Sequence, residues 1–301
     1  MNFDIAEFEN ELAEKKAHVE KFMREFMPPE TAYPQVIHQA MHYAVFNGGK
    51  RLRPILVLES AQVVGKDANR ALPVACAFEM IHTYSLVHDD LPAMDDDDFR
   101  RGKPTCHKVF GEANAILTGD ALLTLAFEIM AACAELPWMD ARCVVKVIRE
   151  TARAIGSLGM VGGQVLDLEL EGKHTDFFTL KTLHSKKTGA LFKACLRAGA
   201  LLFGVEDERL EALTRYAENL GLAFQITDDI LDVEGDESTI GKPVGSDQKK
   251  GKATYPSLLG MEEAKRLAES SVRDAVDSLR VFGSEADFLR NLAVYLLHRR
   301  S

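Results

Sequence analysis

Apolar residues return every three or four positions along most of the chain, the spacing that lines one face of an α-helix. The pattern is clearest in IAEFENELAEKKAHVEKFM (5–23), PQVIHQAMHYAVF (34–46), ARCVVKVIRETARAIG (141–156), LEALTRYAENLGLAFQITDDILDV (210–233) and EEAKRLAESSVRDAVDSL (262–279). Convincing runs that alternate apolar and polar residues, as a half-buried strand requires, are missing. The pattern therefore predicts an all-α protein, a single large bundle of about ten or more helices. Turn residues agree with it: Pro28, Pro29 and Pro137 mark breaks, Asn47-Gly48-Gly49 ends one helix and Gly204 closes another.

Two segments depart from this amphipathic rhythm. ALLTLAFEIMAAC (121–133) is apolar on nearly all sides, is too short to span a bilayer and carries Glu128, so it is expected inside the protein or between subunits rather than stably inserted in a membrane. EGDESTIGKPVGSDQKKGKATYP (234–256) has no apolar face and is expected to be a long loop, either a functional lid or a plain connector.

Composition narrows the function classes. With 301 residues and 47% hydrophobic content the chain can bury a large core, and disorder is excluded as its general state. A net charge of -10, from 36 basic and 46 acidic residues, argues against a general nucleic-acid binder. The five cysteines are scattered without a CxxC pair, so neither a disulfide framework nor a structural zinc site is expected. The acidic, amphipathic start MNFDIAEFENELAEKK lacks the pattern of a signal peptide; together these features point to the cytoplasm.

Candidate chemistry sits in two acidic clusters and one basic segment. HDDLPAMDDDDFRR (88–101) gathers six aspartates ahead of two arginines. On an ideal helix Asp89 and Asp95 would point about 120° apart, but Pro92 between them bends or bulges the backbone and lets Asp95 turn back. Asp89 and Asp95 are therefore the expected metal ligands, with Asp90 in support and Asp96 to Asp98 mainly solvated. In DDILD (228–232) the helix stacks Asp228 over Asp232 and turns Asp229 aside. Carboxylates in this arrangement suit Mg²⁺, which takes few protein ligands and completes its shell with water and phosphate oxygens. GGKRLRP (48–54) offers Lys50 and Arg53 beside a helix break, a setting for phosphate. His82, about 10 Å before Asp89 along a helix, fits a second diphosphate, and Arg100 and Arg101 suit bidentate phosphate contacts.

Taken in order, FNGGKRLRP, MIHTYSLVHDDLPAMDDDDFRRGKPTCH, GEANAILTGDALLTLAF, GGQVLDL, HSKKTGALF, FQITDDILD, TIGKPVGSDQKKGKATYPSLLG and YLLHR run from about residue 40 to the end. This ordered set resembles the trans-isoprenyl diphosphate synthases, most of all the bacterial farnesyl-producing members. The resemblance implies one polyprenyl synthase domain over residues 1–301, folded around a central cavity and paired as a homodimer. It also implies Mg²⁺, three ions per site with substrate bound, held by Asp89, Asp95 and Asp228. Isopentenyl diphosphate would be held by Lys50, Arg53, His82 and Arg101, and an allylic diphosphate, dimethylallyl or geranyl, by Arg100, Lys187, Lys242 and Lys252. By the same resemblance the Thr188 hydroxyl, the Gln225 amide oxygen and the Lys187 carbonyl stabilise an allylic cation, and released pyrophosphate accepts the final proton.

Tyr84 lies about 7.5 Å before Asp89 along a helix and is bulky enough to stop a growing tail. In the family pattern an aromatic here, with the LPAM insertion, goes with a fifteen-carbon product; ordinary core packing is the other reading. Thr227 and Phe99 depart from common family residues without touching an implied ligand. Alternatives are a geranylgeranyl or other chain-length synthase and, from another class, a non-catalytic partner subunit or an acidic calcium binder. A terpene cyclase would lack the second aspartate cluster and GGKRLRP. A non-catalytic partner would typically have lost aspartates that this chain keeps, and a calcium loop would need oxygen ligands spaced around a turn glycine.

Overall fold

The computed structural model describes residues 3–235 and 251–299. Among these residues the chain forms fourteen α-helices and one two-residue β-ribbon. In order they are α1 (Ile5–Phe26), α2 (Gln35–Val45), α3 (Leu52–Val63), α4 (Leu72–Asp89), β1 (Phe99–Arg100), β2 (Lys103–Pro104), α5 (Cys106–Phe110), α6 (Glu112–Ala132) and α7 (Ala141–Ile155). They continue as α8 (Met160–Leu170), α9 (Phe177–His184), a π-helical turn (Ser185–Gly189), α10 (Ala190–Leu201), α11 (Glu208–Glu234), α12 (Tyr255–Leu259), α13 (Met261–Ser278) and α14 (Asp287–Tyr295). The five segments with the clearest period correspond to α1, α2, α7, α11 and α13 within a few residues. Aspartates begin three of these: Asp4, Asp140 and Asp207 accept from the free amides of the first turns of α1, α7 and α11.

The bundle is organised around α3 and α4, which are buried on almost every side. A large core extends over them from Phe8 and Val19 of α1 to Leu289 and Leu292 of α14. A smaller cluster joins α9, α11, α12 and α13 through Leu180, Ile226, Tyr255, Ala264 and Ala268. All five cysteines are free thiols, and Cys143 is the one that is not buried. α6 packs along α4; together with the helical turn that follows it, Glu112–Glu135 is long and apolar enough to cross a membrane by length and composition, longer than the 121–133 run on which the expectation of too short a span rested. It leaves Ile116 and Leu117 about half exposed.

Three local features differ from the pattern-based expectation. The turn at Arg101 (φ 54) and Gly102 (φ 75) closes β1 against β2, with Phe99 opposite Pro104 and Arg100 opposite Lys103. Two residues in the left-handed region give a turn whose twist matches paired strands. The segment expected to loop over 234–256 begins inside α11, since Glu234 is helical, and ends inside α12, which Thr254 starts with a reciprocal capping box with Ser257. Residues 236–250 of that segment, Lys242 among them, lie outside the described residues. Finally, Pro92 does not bend a continuing helix: α4 stops at Asp89 and the chain winds into turns.

α10 crosses α3 so closely that the crossing requires a glycine. A Cβ on Gly199 would lie 2.2 Å from the Val57 carbonyl oxygen and 2.8 Å from the Ala61 nitrogen, both backbone atoms. The Ser60 hydroxyl donates to the Leu196 carbonyl at the same crossing. Gly199→Ala is expected to destabilise the fold by about 1–3 kcal/mol or more through forced helix separation, read as a lower midpoint in chemical denaturation.

Candidate active site

The first acidic cluster occupies the turn that follows the buried helix α4. The Asp95 amide donates to the Asp89 carbonyl at 2.8 Å, and the Asp96 amide to the Leu91 carbonyl at 3.1 Å. This winding brings Asp95 back to Asp89, as the spacing required. Asp90 is buried and accepts from Arg100 Nε at 2.8 and 2.9 Å, so it holds the β-ribbon against the turn. Asp96 and Asp98 are exposed, and Asp98 pairs with Lys108 at 2.6 Å. Among the described residues these two also form, with buried His107, the one group of three ligand atoms within 4.8 Å of one another. It is a different set from the expected ligands.

Burial raises the Asp89 carboxyl to about 6; nearby Lys187 and Arg100 oppose the shift, while Asp95 and Asp90 add to it. The repulsion between these carboxylates is what a cation relieves, and an all-oxygen donor set suits a hard dication such as Mg²⁺. Three side chains link this turn to its surroundings. Asp167 of α8 accepts from Lys187 Nζ at 2.6 Å and Lys252 Nζ at 3.5 Å, and Lys252 Nζ also donates to Asp95 at 3.1 Å. Burial alone would raise Asp167, but the two lysines hold it below the ordinary aspartate value.

The second feature is a cleft of about 820 Å³ whose walls include Lys50, Arg53, His82, Arg100, Arg101, Asp228 and Arg299. Arg51, at φ 55, also borders the cleft but has its donors satisfied within the protein: its Nη1 donates to Glu79 at 2.8 Å, its Nε to Glu20 at 2.9 Å and its Nη2 to the Val45 carbonyl at 2.7 Å. That buried ion pair fixes the loop and leaves Lys50 and Arg53 on the cleft. Arg101 donates to the Gly48 carbonyl, and its guanidinium fills the space beside Gly49 (φ 112), where a Cβ would stand 2.5 Å from Nη1.

These cations crowd one another. Burial, followed by Arg53, Arg101 and Arg100, pushes His82 well below the usual histidine range. Burial, with Arg299 adding, lowers Lys50 to about 8, and burial lowers Arg101 to about 10. Arg53 is lowered by burial too, and its Nε has no hydrogen-bond partner among the described residues. A pocket of depressed cations with an orphaned donor is built for an anion.

The third feature is a largely apolar cavity of about 400 Å³, walled by Tyr84, His88, Met94, Met160, Val165, Leu168 and Leu191 with Asp89 and Lys187. It shares Arg53, His82, Leu86 and Thr188 with the basic cleft, so the two spaces abut. Thr188 lies in the π-helical turn, a distortion that α8 accommodates at Gly163, where a Cβ would meet the Lys187 nitrogen at 2.3 Å. Across the junction the Thr188 hydroxyl donates to Gln225 Oε1 at 3.2 Å. Tyr84 is buried and meets His88 edge-on, ring centroids 5.8 Å apart.

Of the residues expected from sequence, all except Lys242 and Asp232 therefore fall on these three adjoining features; Asp228 lines the cleft, whereas Asp232 one turn on does not. Sequence reasoning did not identify Arg299, which donates to Asp228, to Thr227 Oγ1 at 2.9 Å and to the Phe224 carbonyl at 3.1 Å. Nor did it identify Asp167. The YLLHR and GGQVLDL stretches contain both residues, but periodicity gave no reason to select either.

Comparison with known proteins shows what the whole chain is similar to. A family model described as polyprenyl synthetase matches residues 34–282. The farnesyl diphosphate synthase of Escherichia coli is 49% identical over 278 residues, covering 91% of this chain and 93% of that protein. The geranylgeranyl diphosphate synthase of Cyanophora paradoxa is 44% identical over 301 residues, 100% of this chain and 98% of that protein. Among solved structures, an FPP/GFPP synthase from Zymomonas mobilis superposes with a TM-score of 0.86 at 40% identity, covering 98% of this chain and 100% of that one.

The raised Asp89 carboxyl has a pH signature. A metal held at Asp89 would take its ionised form, so protons would compete below about pH 6. Affinity for Mg²⁺ with inorganic pyrophosphate is expected to fall by about tenfold per pH unit between roughly pH 6 and 4. Calorimetry in two buffers of different ionisation enthalpy should show more protons released on binding near pH 6 by the wild type than by Asp89→Asn, pyrophosphate's own protons being common to both.

Proposed function

The chain belongs to the polyprenyl synthetase family, and from that premise we propose that it is a Mg²⁺-dependent prenyltransferase. It condenses isopentenyl diphosphate with dimethylallyl and then geranyl diphosphate, giving farnesyl diphosphate and pyrophosphate. The observation that carries this reading is the junction at Thr188, where a cation-rich cleft meets an apolar cavity with Asp89 in its wall. An ionic head and a hydrocarbon tail need that pair of environments side by side.

Asp89, Asp95 and Asp228 are the residues to hold the ions, three with substrate bound. When present, Mg²⁺ supplies positive charge to the allylic diphosphate and to the pyrophosphate that departs from it. Arg100, Lys187 and Lys252, with Lys242 outside the described residues, add fixed charge at the same oxygens. The allylic C–O bond breaks with its electron pair leaving on pyrophosphate. Lys50, Arg53, His82 and Arg101 hold isopentenyl diphosphate so that its alkene attacks the allylic carbon. His82, kept neutral by its surroundings, serves as a donor rather than as a charge. The Gln225 amide oxygen, the Thr188 hydroxyl and the Lys187 carbonyl stabilise the cation, and the apolar walls exclude the water that would quench it. Loss of a proton to pyrophosphate completes the step.

We read the chain as one such domain in a cytoplasmic homodimer. The exposed Ile116 and Leu117 face of α6 supports a subunit contact there. Tyr84, in the wall of the apolar cavity, is the residue proposed to stop growth at fifteen carbons.

Incubation of the protein with labelled isopentenyl diphosphate and geranyl diphosphate should give a fifteen-carbon product that requires Mg²⁺; absence of any prenyl product overturns the reading. Tyr84→Ala is expected to shift the main product by at least one five-carbon unit on chromatography. An unchanged distribution removes Tyr84 as the stop while leaving the prenyltransferase reading intact.

A further inference from the structure

Asp229 was expected to turn aside from its neighbours, and it does so into the protein, where it is 2% exposed. It stands one helical turn after Gln225 on α11. Its Oδ1 accepts from Gln225 Nε2 at 2.9 Å, and its Oδ2 accepts from the Tyr255 amide at 2.9 Å. A side-chain amide has one accepting and one donating end, whereas a carboxylate only accepts. Facing Asp229, the Gln225 amide has to present its NH₂ group, because the reverse orientation would oppose two oxygens. The Gln225 oxygen is thereby directed to Thr188, at the junction of cleft and cavity.

The second oxygen of Asp229 reaches a different element. Tyr255 is fully buried at the start of α12, three residues after Lys252. Lys252 in turn bonds Asp95 and Asp167 in the acidic turn's network. One buried carboxylate thus touches the amide on one side of the junction and the segment carrying a diphosphate-side lysine on the other.

We propose that Asp229 is a positioning residue, which orients the Gln225 amide so that oxygen rather than nitrogen faces the allylic carbon, and which ties that orientation to the docked Lys252–Tyr255 segment. The proposal rests on the prenyltransferase reading and on the role given there to Gln225. An NH₂ group at that position would oppose developing positive charge, whereas an oriented oxygen stabilises it without reorganisation. Asp229 itself need touch neither substrate nor metal to have this effect.

The test compares the full-length protein with Asp229→Asn and with the exchanged pair Asp229→Asn/Gln225→Glu. Asparagine is nearly isosteric, and by accepting from the Tyr255 amide it turns its own NH₂ towards Gln225, which favours the reversed Gln225 amide with NH₂ at the junction. For Asp229→Asn, kcat is expected to fall about tenfold to a hundredfold, with KM for isopentenyl diphosphate and half-saturating Mg²⁺ each within about twofold. In the exchanged pair the carboxylate introduced at position 225 accepts from the amide introduced at position 229 and returns an oxygen to the junction, so kcat should recover by about tenfold over the single variant. The proposal is overturned if Asp229→Asn keeps wild-type kcat, if the exchanged pair gives no recovery, or if half-saturating Mg²⁺ rises tenfold, which would make Asp229 a support of the metal site. If the wild-type protein forms no prenyl product, the functional reading falls and takes this proposal with it. An active wild type beside an unaffected Asp229→Asn removes this proposal alone.

Discussion

The site depends on holding like charges together where little water can screen them. At about 4 Å, two unit charges repel by about 4 kcal/mol at the effective dielectric near a protein surface, against about 1 kcal/mol in bulk water. Burial first, and like charge after it, act on both signs: Asp89 moves towards its acid form, while Lys50, His82 and Arg101 move towards their neutral forms. Arg51 shows what a purely structural cation looks like by contrast. It is 2% exposed, as buried as any residue of the cleft, yet Glu79 and Glu20 accept its bonds. Its neighbours Lys50 and Arg53 are turned instead to a space that an anion can fill.

The fold maintains this arrangement through close backbone approaches. α4 is a buried helix that ends where its acidic turn begins, so Asp89 sits at the end of a rigid element rather than on a free loop. The π-helical turn carries Lys187 and Thr188 against α8 at a contact that excludes a Cβ on Gly163. The ribbon turn at Arg101 points its guanidinium at the Gly48-Gly49 backbone, joining the basic loop to the acidic one. Helix packing thus determines the separation of the groups to within ångströms, and electrostatics acts on a spacing that is already fixed.

Much of this was legible in the sequence because it rests on local geometry. Periodicity located α1, α2, α7, α11 and α13, and the six-residue separation of Asp89 from Asp95 implied a break between them. Its physical form escaped: the helix ends, and an amide-to-carbonyl bond from Asp95 to Asp89 does what a bend in a continuing helix was expected to do. Contacts between distant segments left no periodic trace. Arg299 with Asp228, Lys252 with Asp95 and Lys187 with Asp167 join residues that only the folded bundle brings together. The ribbon escaped for the opposite reason, being too short to show alternation. Asp229 shows a further limit of helical geometry, which gives the direction a side chain takes from its own helix but not the partner it meets there.

Those distant pairs also bear on how the site changes between its empty and loaded states. On the proposed reading Lys252, now bonded to a metal carboxylate, is itself a diphosphate ligand, and Lys187 rests on the neighbouring Asp167. Without substrate, such pairs keep the carboxylates from repelling one another without protonating them all. On that reading, metal and diphosphate arriving together would let the carboxylates exchange ammonium partners for a dication and free the lysines for phosphate oxygens. Charge-assisted bonds would then be replaced rather than lost. A diphosphate without metal would leave the acidic turn facing another anion, and metal without diphosphate would leave the basic cleft uncompensated. On the proposed reading, mutual dependence of the two ligands is what this charge arrangement would produce.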